Sequence, residues 1–141
     1  MQKRRLFVDS SAIIYGLECP QSNSSTLLRL IRDKKLRAAT SEKALREVKA
    51  FLALKRGEKL AYCGEVFVKR NFTIIGRKEI EAEVKTFRGR IKEKDLEHLA
   101  TAKKLGARIV ALDRDYAPFK EYVTPKQLVR ELGLKPRDTE Y

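Results

Sequence analysis

The chain has 141 residues with no Trp, one His, one Met and two Cys. Cys19 and Cys63 are far apart and outside any CxxC spacing, and His98 stands alone. No zinc site of ordinary ligand spacing can be assembled from them, and a disulfide-stapled scaffold is excluded. A cytoplasmic protein with reduced thiols is the expectation. No apolar run approaches the roughly 18 residues that a spanning helix needs, so no membrane partner is expected. The opening Met1-Gln2-Lys3-Arg4-Arg5-Leu6-Phe7-Val8 starts like a signal peptide, but Asp9, Ser10 and Ser11 cut its apolar stretch. A first strand is the better reading. Acids are the minority charge: 19 Asp and Glu face 32 Lys and Arg, giving a net charge of +13 and a pI of about 9.9. That excess fits a polyanionic partner or a solvated basic surface, and charge alone leaves both standing. The charged fraction, 36%, suits an ion-pair-rich surface of thermophile style.

Hydrophobic residues make up 43% of the chain, enough for one core in one domain over residues 1–141. No repeat, linker or low-complexity tract interrupts it. Leu6-Phe7-Val8, Leu36 to Ala39, Phe72 to Ile75 and Ala107 to Leu112 read as strands, with Tyr122-Val123-Thr124 a short fifth. Between them lie helical stripes: Ala12–Ile14, Leu27–Ile31, Leu45/Val48/Phe51/Leu52, Leu60/Cys63/Val66/Phe67, Ile80/Val84/Phe87/Ile91 and Leu96/Leu99/Ala100/Leu105. Ser24 and Ser25 are placed to cap the second helix, and Pro125 to open a closing one. Apolar strands alternating with helices predict an α/β fold: a central, mostly parallel sheet of about five strands with helices on both faces. Ligands of such sheets bind beyond the carboxyl ends of the strands.

Acids punctuate those ends. Asp9 follows the first strand, Asp113 the late one, with Asp115 two residues on; Glu47 lies six past Ser41, and Asp95 starts a helix. Each has a plain structural alternative: Asp9 and Asp95 as helix caps, Asp113 as a turn residue, Glu47 as an exposed acid. Converging in one cleft, they would repel one another and their pKa values would rise unless a cation neutralised them. Oxygen ligands without Cys or His suit Mg²⁺ or Mn²⁺, and such an ion in an acidic cleft of a basic protein suggests phosphodiester hydrolysis.

At these residues the chain resembles the PIN-domain ribonuclease family along nearly its whole length. The resemblance rests on four stretches. They are Phe7-Val8-Asp9-Ser10-Ser11, Ser41 with Glu47, Asp95-Leu96-Glu97-His98-Leu99-Ala100-Thr101-Ala102, and Ala111-Leu112-Asp113-Arg114-Asp115-Tyr116. The resemblance implies that Asp9, Glu47, Asp95 and Asp113 are catalytic and hold one or two Mg²⁺ or Mn²⁺ ions. Asp115 would be an auxiliary ligand, and Ser11 and Ser10 would orient a carboxylate or phosphate oxygen. One departure is Ala111, where the family often has Thr or Ser; Ser10 or Ser11 would then supply the hydroxyl.

Arg88, Arg90, Lys92 and Lys94 precede Asp95 and are candidates to gather RNA phosphates, or else a solvated helix face. Tyr15 and Tyr116 are candidates for base stacking, with core packing the stronger reading for Tyr15. His98, one helical turn after Asp95, is a candidate RNA contact, with core packing the stronger reading. Among PIN proteins the chain looks most like the toxin half of VapBC-type pairs, which implies an RNA substrate, an antitoxin partner and a homodimer. The alternatives are a non-catalytic RNA-binding PIN protein and an RNA-processing nuclease outside a toxin–antitoxin pair. The absence of CxxC argues against the zinc-ribbon form that processes ribosomal RNA. A Toprim-like enzyme would share Asp-x-Asp but leave Asp9-Ser10-Ser11 unexplained. A receiver-like phosphoacceptor would need a late Lys beside the acids, for which Lys126 could pass, but no strand read as central in this chain ends in Asp.

Overall fold

The computed structural model describes residues 5–141. The basic start at Lys3 and Arg4 lies outside them. Five strands form one sheet: β1 Arg5–Val8, β2 Arg37–Ser41, β3 Thr73–Ile75, β4 Arg108–Val110 and β5 Tyr122–Val123. Their spatial order is β3-β2-β1-β4-β5, and every pairing is parallel. The chain builds outward from β1 to β3, then crosses β1 to lay β4 on its other side. The order therefore reverses at β1, and a crevice opens beyond the carboxyl ends of β1 and β4.

Side chains alternate across the sheet, as strand geometry requires. Leu6 and Val8 join one cluster with Ile13, Leu27, Ile31, Val48 and Val68. This face is covered by α1 (Ser10–Glu18), α2 (Asn23–Arg32), α3 (Glu42–Arg56), α4 (Glu58–Asn71) and α7 (Pro125–Glu131). Phe7 and Ile109 point the other way, onto Leu99, Ala102 and Tyr116. Ala39 meets Ile80, Val84, Leu96 and Ala100 beside them. That face is closed by α5 (Glu81–Phe87) and α6 (Glu93–Leu105). The alanines Ala100 and Ala102 are fully buried and let α6 lie close to the sheet.

Local chemistry explains the helix ends. Ser22, rather than Ser24 or Ser25, caps α2, accepting from the Ser25 amide at 3.0 Å. Ser24 and Ser25 lie inside the first turn, where the Ser24 and Asn23 amides donate to the buried Glu140 carboxylate at 2.8 and 3.0 Å. Ser41 caps α3, and Thr124 caps α7 in a capping box with Gln127. Gly106 ends α6 in the left-handed region, φ 60°, where a Cβ would be strained. α1 and α2 cross closely at Gly16, since a Cβ there would stand 2.6 Å from Leu28 Cδ1. The Ile80–Ile91 stripe is not one helix: α5 stops at Phe87, Gly89 turns the chain with φ 89°, and Ile91 packs from the turn.

Candidate active site

Asp9 ends β1 and caps α1, so its structural role and its place at the crevice coincide. Its Oδ2 accepts from the Ser11 hydroxyl at 2.8 Å and faces the Ser11 amide at 3.4 Å. The Ser11 oxygen in turn accepts from the Leu112 amide at 3.1 Å. One hydroxyl thus ties the end of β1 to the residue before Asp113, and it does so beside Ala111, which has no hydroxyl of its own. Ser10 turns to the other side and donates to Glu47 Oε1 at 2.9 Å.

α6 supplies the floor. Lys92, not Asp95, occupies its N-cap position, and Asp95 sits in the first turn facing inward, 5% exposed. His98 follows one turn later on the same side. It does pack, with its ring 5.8 Å from Phe7, but it also joins three elements. Nδ1 lies 3.0 Å from the Ser41 hydroxyl, and Nε2 lies 2.8 Å from Glu47 Oε1 and 3.4 Å from Asp9 Oδ1. Burial alone would push the imidazole pKa down. The hydrogen bond to Glu47 and the charges of Asp9 and Glu47 outweigh it, and the net shift is upward. For Glu47 burial pushes up, but His98 and Ser10 hold the carboxyl below its usual range. The sequence treated His98 as filler because nothing local distinguishes a core histidine from a bridging one. Its spacing one turn after Asp95 was the available signal.

Asp113 follows β4 and caps a single 3-10 turn, Arg114–Tyr116, accepting from the Asp115 amide at 2.9 Å. This short loop brings oxygens of Asp95, Asp113 and Asp115 within 4.8 Å of one another. The trio differs from the expected quartet. Asp115, expected as auxiliary, stands in it. Asp9 is linked to Asp95 through Tyr116, whose hydroxyl lies 3.5 Å from Asp9 Oδ1 and 3.4 Å from Asp95 Oδ1. That hydroxyl has one proton for two long contacts, and burial first, then the surrounding carboxylates, push its pKa far up. Tyr116 is fully buried, so it is a wall of the site and not a platform for a base. Tyr15 is partly buried on α1.

The trio is electrostatically uneasy. Burial, and after it the Asp113 charge, raise the Asp95 pKa from 3.8 to about 6, against the partial relief from Lys94. Asp95 Oδ2 is buried with no hydrogen-bond partner among the described residues. Lys94 Nζ stands 3.9 Å from it and 3.2 Å from Asp113, and Lys92 Nζ stands 3.2 Å from Asp115. For Asp113 the burial penalty is outweighed by the Asp115 amide and Lys94, leaving its carboxyl below the usual range. Three converging carboxylates, an orphaned inward oxygen and two exposed lysines covering the gap are a donor set that fits a hard divalent cation. The four basic candidates therefore divide. Lys92 and Lys94 reach the acids, whereas Arg88 bonds Glu93 at 3.1 Å and Arg90 stacks on Phe87 at 4.9 Å.

The PIN domain signature matches residues 6–122 of the chain. The chain belongs to the PIN domain family. No curated protein matches the PIN protein described here. Among solved structures, its fold is similar to a toxin–antitoxin complex from Klebsiella pneumoniae, with TM-score 0.67 and 19% identity, covering 85% of this chain and 97% of that one. It is similar to DNA-bound VapBC from Salmonella typhimurium, with TM-score 0.70 and 9% identity over 88% and 99% of the two chains. It is also similar to VapC20 of Mycobacterium tuberculosis, a sarcin–ricin loop cleaving toxin, with TM-score 0.61 and 17% identity over 82% and 95%. At these identities the likeness is one of fold.

Proposed function

We propose that this PIN domain is a metal-dependent endoribonuclease of the VapC toxin type. The observation that carries the reading is the buried Asp95, with one oxygen unpartnered and Asp113 and Asp115 beside it, at the switch point of a parallel sheet. Asp95, Asp113 and Asp115 would hold Mg²⁺ or Mn²⁺, with Asp9 completing the acidic wall through Tyr116. The ion would supply Lewis-acid stabilisation and an activated water for hydrolysis of a phosphodiester. The chain's own residues do the rest. Ser11 holds Asp9 in one rotamer, and His98 holds Glu47 against Ser10 at the rim. Lys92 and Lys94, with side chains 66% and 62% exposed, are free to swing from carboxylates to substrate phosphates.

An antitoxin partner fits the surface. Leu60 stands exposed on α4 in an open groove of about 360 Å³ that Leu17 and Leu52 also line, and Leu54 and Tyr62 are exposed elsewhere on α3 and α4. The structures similar to this fold include toxin–antitoxin complexes. No helix among the described residues is long and apolar enough to cross a membrane, which is compatible with a cytoplasmic site of action.

The test is cleavage of end-labelled RNA with Mg²⁺ or Mn²⁺ added to metal-stripped protein. Cleavage is expected with the ion, none with chelator, and a loss of at least a hundredfold in Asp9→Asn and Asp95→Asn, each retaining its circular dichroism spectrum. Metal-independent cleavage, or full activity in Asp95→Asn, overturns the reading. RNA binding without any cleavage would instead assign a non-catalytic PIN protein.

A further inference from the structure

A second pocket opens next to the acids, at the carboxyl end of β5. It has a volume of about 340 Å³ and is lined by Arg114, Tyr122, Thr124, Lys126, Arg130 and Tyr141. No acid lines it. Arg130 makes no side-chain hydrogen bond or ion pair among the described residues. Among the described residues Lys126 meets only the fully exposed Asp138, at 3.5 Å. The Tyr141 ring is 45% exposed, and the Arg114 guanidinium lies over it at 4.3 Å. An exposed aromatic face and a cationic rim are groups that a nucleotide satisfies, with the π-face of its base and with a phosphate.

Three links place the pocket beside the acidic cleft. Arg114 lies between Asp113 and Asp115 in the chain. The Tyr141 hydroxyl donates to the carbonyl of Leu112, the residue before Asp113. The Tyr122 ring packs on that of Tyr116 at 6.4 Å, and the Tyr116 hydroxyl stands between Asp9 and Asp95.

We propose that this pocket binds one unstacked nucleotide of a single-stranded RNA, next to the nucleotide whose phosphate enters the acidic cleft, an assignment that rests on the nuclease reading above. Tyr141 stacks on the base, and Arg114, Lys126 and Arg130 take the flanking phosphates. A double-stranded segment cannot enter, because its bases offer no free face to Tyr141. The pocket therefore selects single-stranded over double-stranded RNA.

The test uses the full chain carrying Asp9→Asn, so that RNA is bound and not consumed. Binding of a short fluorescein-labelled single-stranded RNA of mixed sequence is read by anisotropy at several salt concentrations. Tyr141→Ala and Arg130→Gln should each weaken binding roughly tenfold, and Arg130→Gln should also flatten the log–log salt slope by roughly 0.7. Tyr141→Phe, which keeps the ring, should bind like its parent, and so should Lys55→Gln, an exposed charge on α3. RNA carrying 4-thiouridine, irradiated on the protein, should crosslink to the peptide that contains Tyr141. If the parent binds RNA while Tyr141→Ala and Arg130→Gln match Lys55→Gln, the pocket proposal fails and the nuclease reading stands. If the parent binds no RNA, both fall. Duplex RNA bound as tightly as single-stranded RNA, or the pocket variants losing an antitoxin instead of RNA, overturns the proposal alone.

Discussion

His98 Nε2 lies 2.8 Å from Glu47 Oε1, joining two residues 51 positions apart that neither share an element nor neighbour each other in the sheet. With Ser41 on the other ring nitrogen, the buried imidazole fixes the position of α3 against α6 below the acidic cleft. It positions Glu47 and Asp9 without itself standing open to substrate, being 1% exposed.

Replacing it tests that role. His98→Ala should destabilise the fold by about 2–4 kcal/mol, from lost packing and from polar partners left unpaired. The milder His98→Gln separates the charge. The folded pKa is raised above 6.5, so the stabilisation is fully present below pH 6.5 and is lost as pH rises through the folded value. Urea unfolding should therefore show the wild type exceeding His98→Gln by more at pH 6 than at pH 9. A difference that stays constant with pH would mean that the imidazole charge contributes nothing.

Asp95→Asn should raise the stability of the metal-free protein while removing activity. The Asp95 pKa is raised from 3.8 to about 6, so its ionisation opposes folding. The penalty is absent below pH 4, grows between pH 4 and 6, and levels off above that at about 3 kcal/mol. Thermal melts with chelator should show the variant ahead of wild type at pH 7.5 and level with it at pH 4. A variant less stable than wild type at pH 7.5 contradicts the crowding of these carboxylates.

Metal and lysine compete for one set of acids. Mg²⁺ or Mn²⁺ should raise the melting temperature, and the rise should shrink as pH falls through about 6, where Asp95 takes up its proton. Lys92→Gln with Lys94→Gln should lower the melting temperature of the metal-free protein and enlarge the metal-induced rise. Arg88→Gln with Arg90→Gln should leave that rise unchanged, since these arginines engage Glu93 and Phe87 instead. On RNA, the lysine pair should flatten the salt dependence of binding more than the arginine pair, by up to roughly 0.7 per lost phosphate contact. Equal effects from the two pairs would refute the division.

Away from the cleft, Glu140 holds the start of α2. Its carboxylate accepts from the Asn23 and Ser24 amides and from the Ser24 hydroxyl at 2.6 Å. Burial pushes its pKa up, but these donors hold it below 4.5, so its stabilisation is present above pH 4.5 and lost as pH falls through the folded value. Glu140→Gln should cost about 1–3 kcal/mol at pH 7 and much less at pH 3, read by urea unfolding. RNA cleavage at saturating substrate should be unchanged.

The architecture was legible in the chain. Apolar triplets such as Leu6-Phe7-Val8 and Ile109-Val110-Ala111 between helical stripes specify a parallel sheet covered on both faces, because only such strands can bury both sides. Which acids would lie at strand ends was also legible, since a strand's last residue is a local property. Asp9 stands directly after β1 as expected, whereas β4 ends at Val110, short of the expected Leu112, and Asp113 lies three residues beyond it, capping the 3-10 turn.

What the sequence could not hold is which side chains meet across the fold. Asp115 joins Asp95 and Asp113 because a single 3-10 turn after β4 folds back toward α6, and a turn's direction is set by the packing of Tyr116 into the core. That same packing buries the Tyr116 ring, which by sequence alone could equally have faced a base. His98 became a bridge, and Lys92 parted from Arg90, through the angle at which α6 lies on the sheet. Coulomb and hydrogen-bond energies change steeply over a few ångströms, so these distances, which no spacing along the chain encodes, decide the electrostatics of the site.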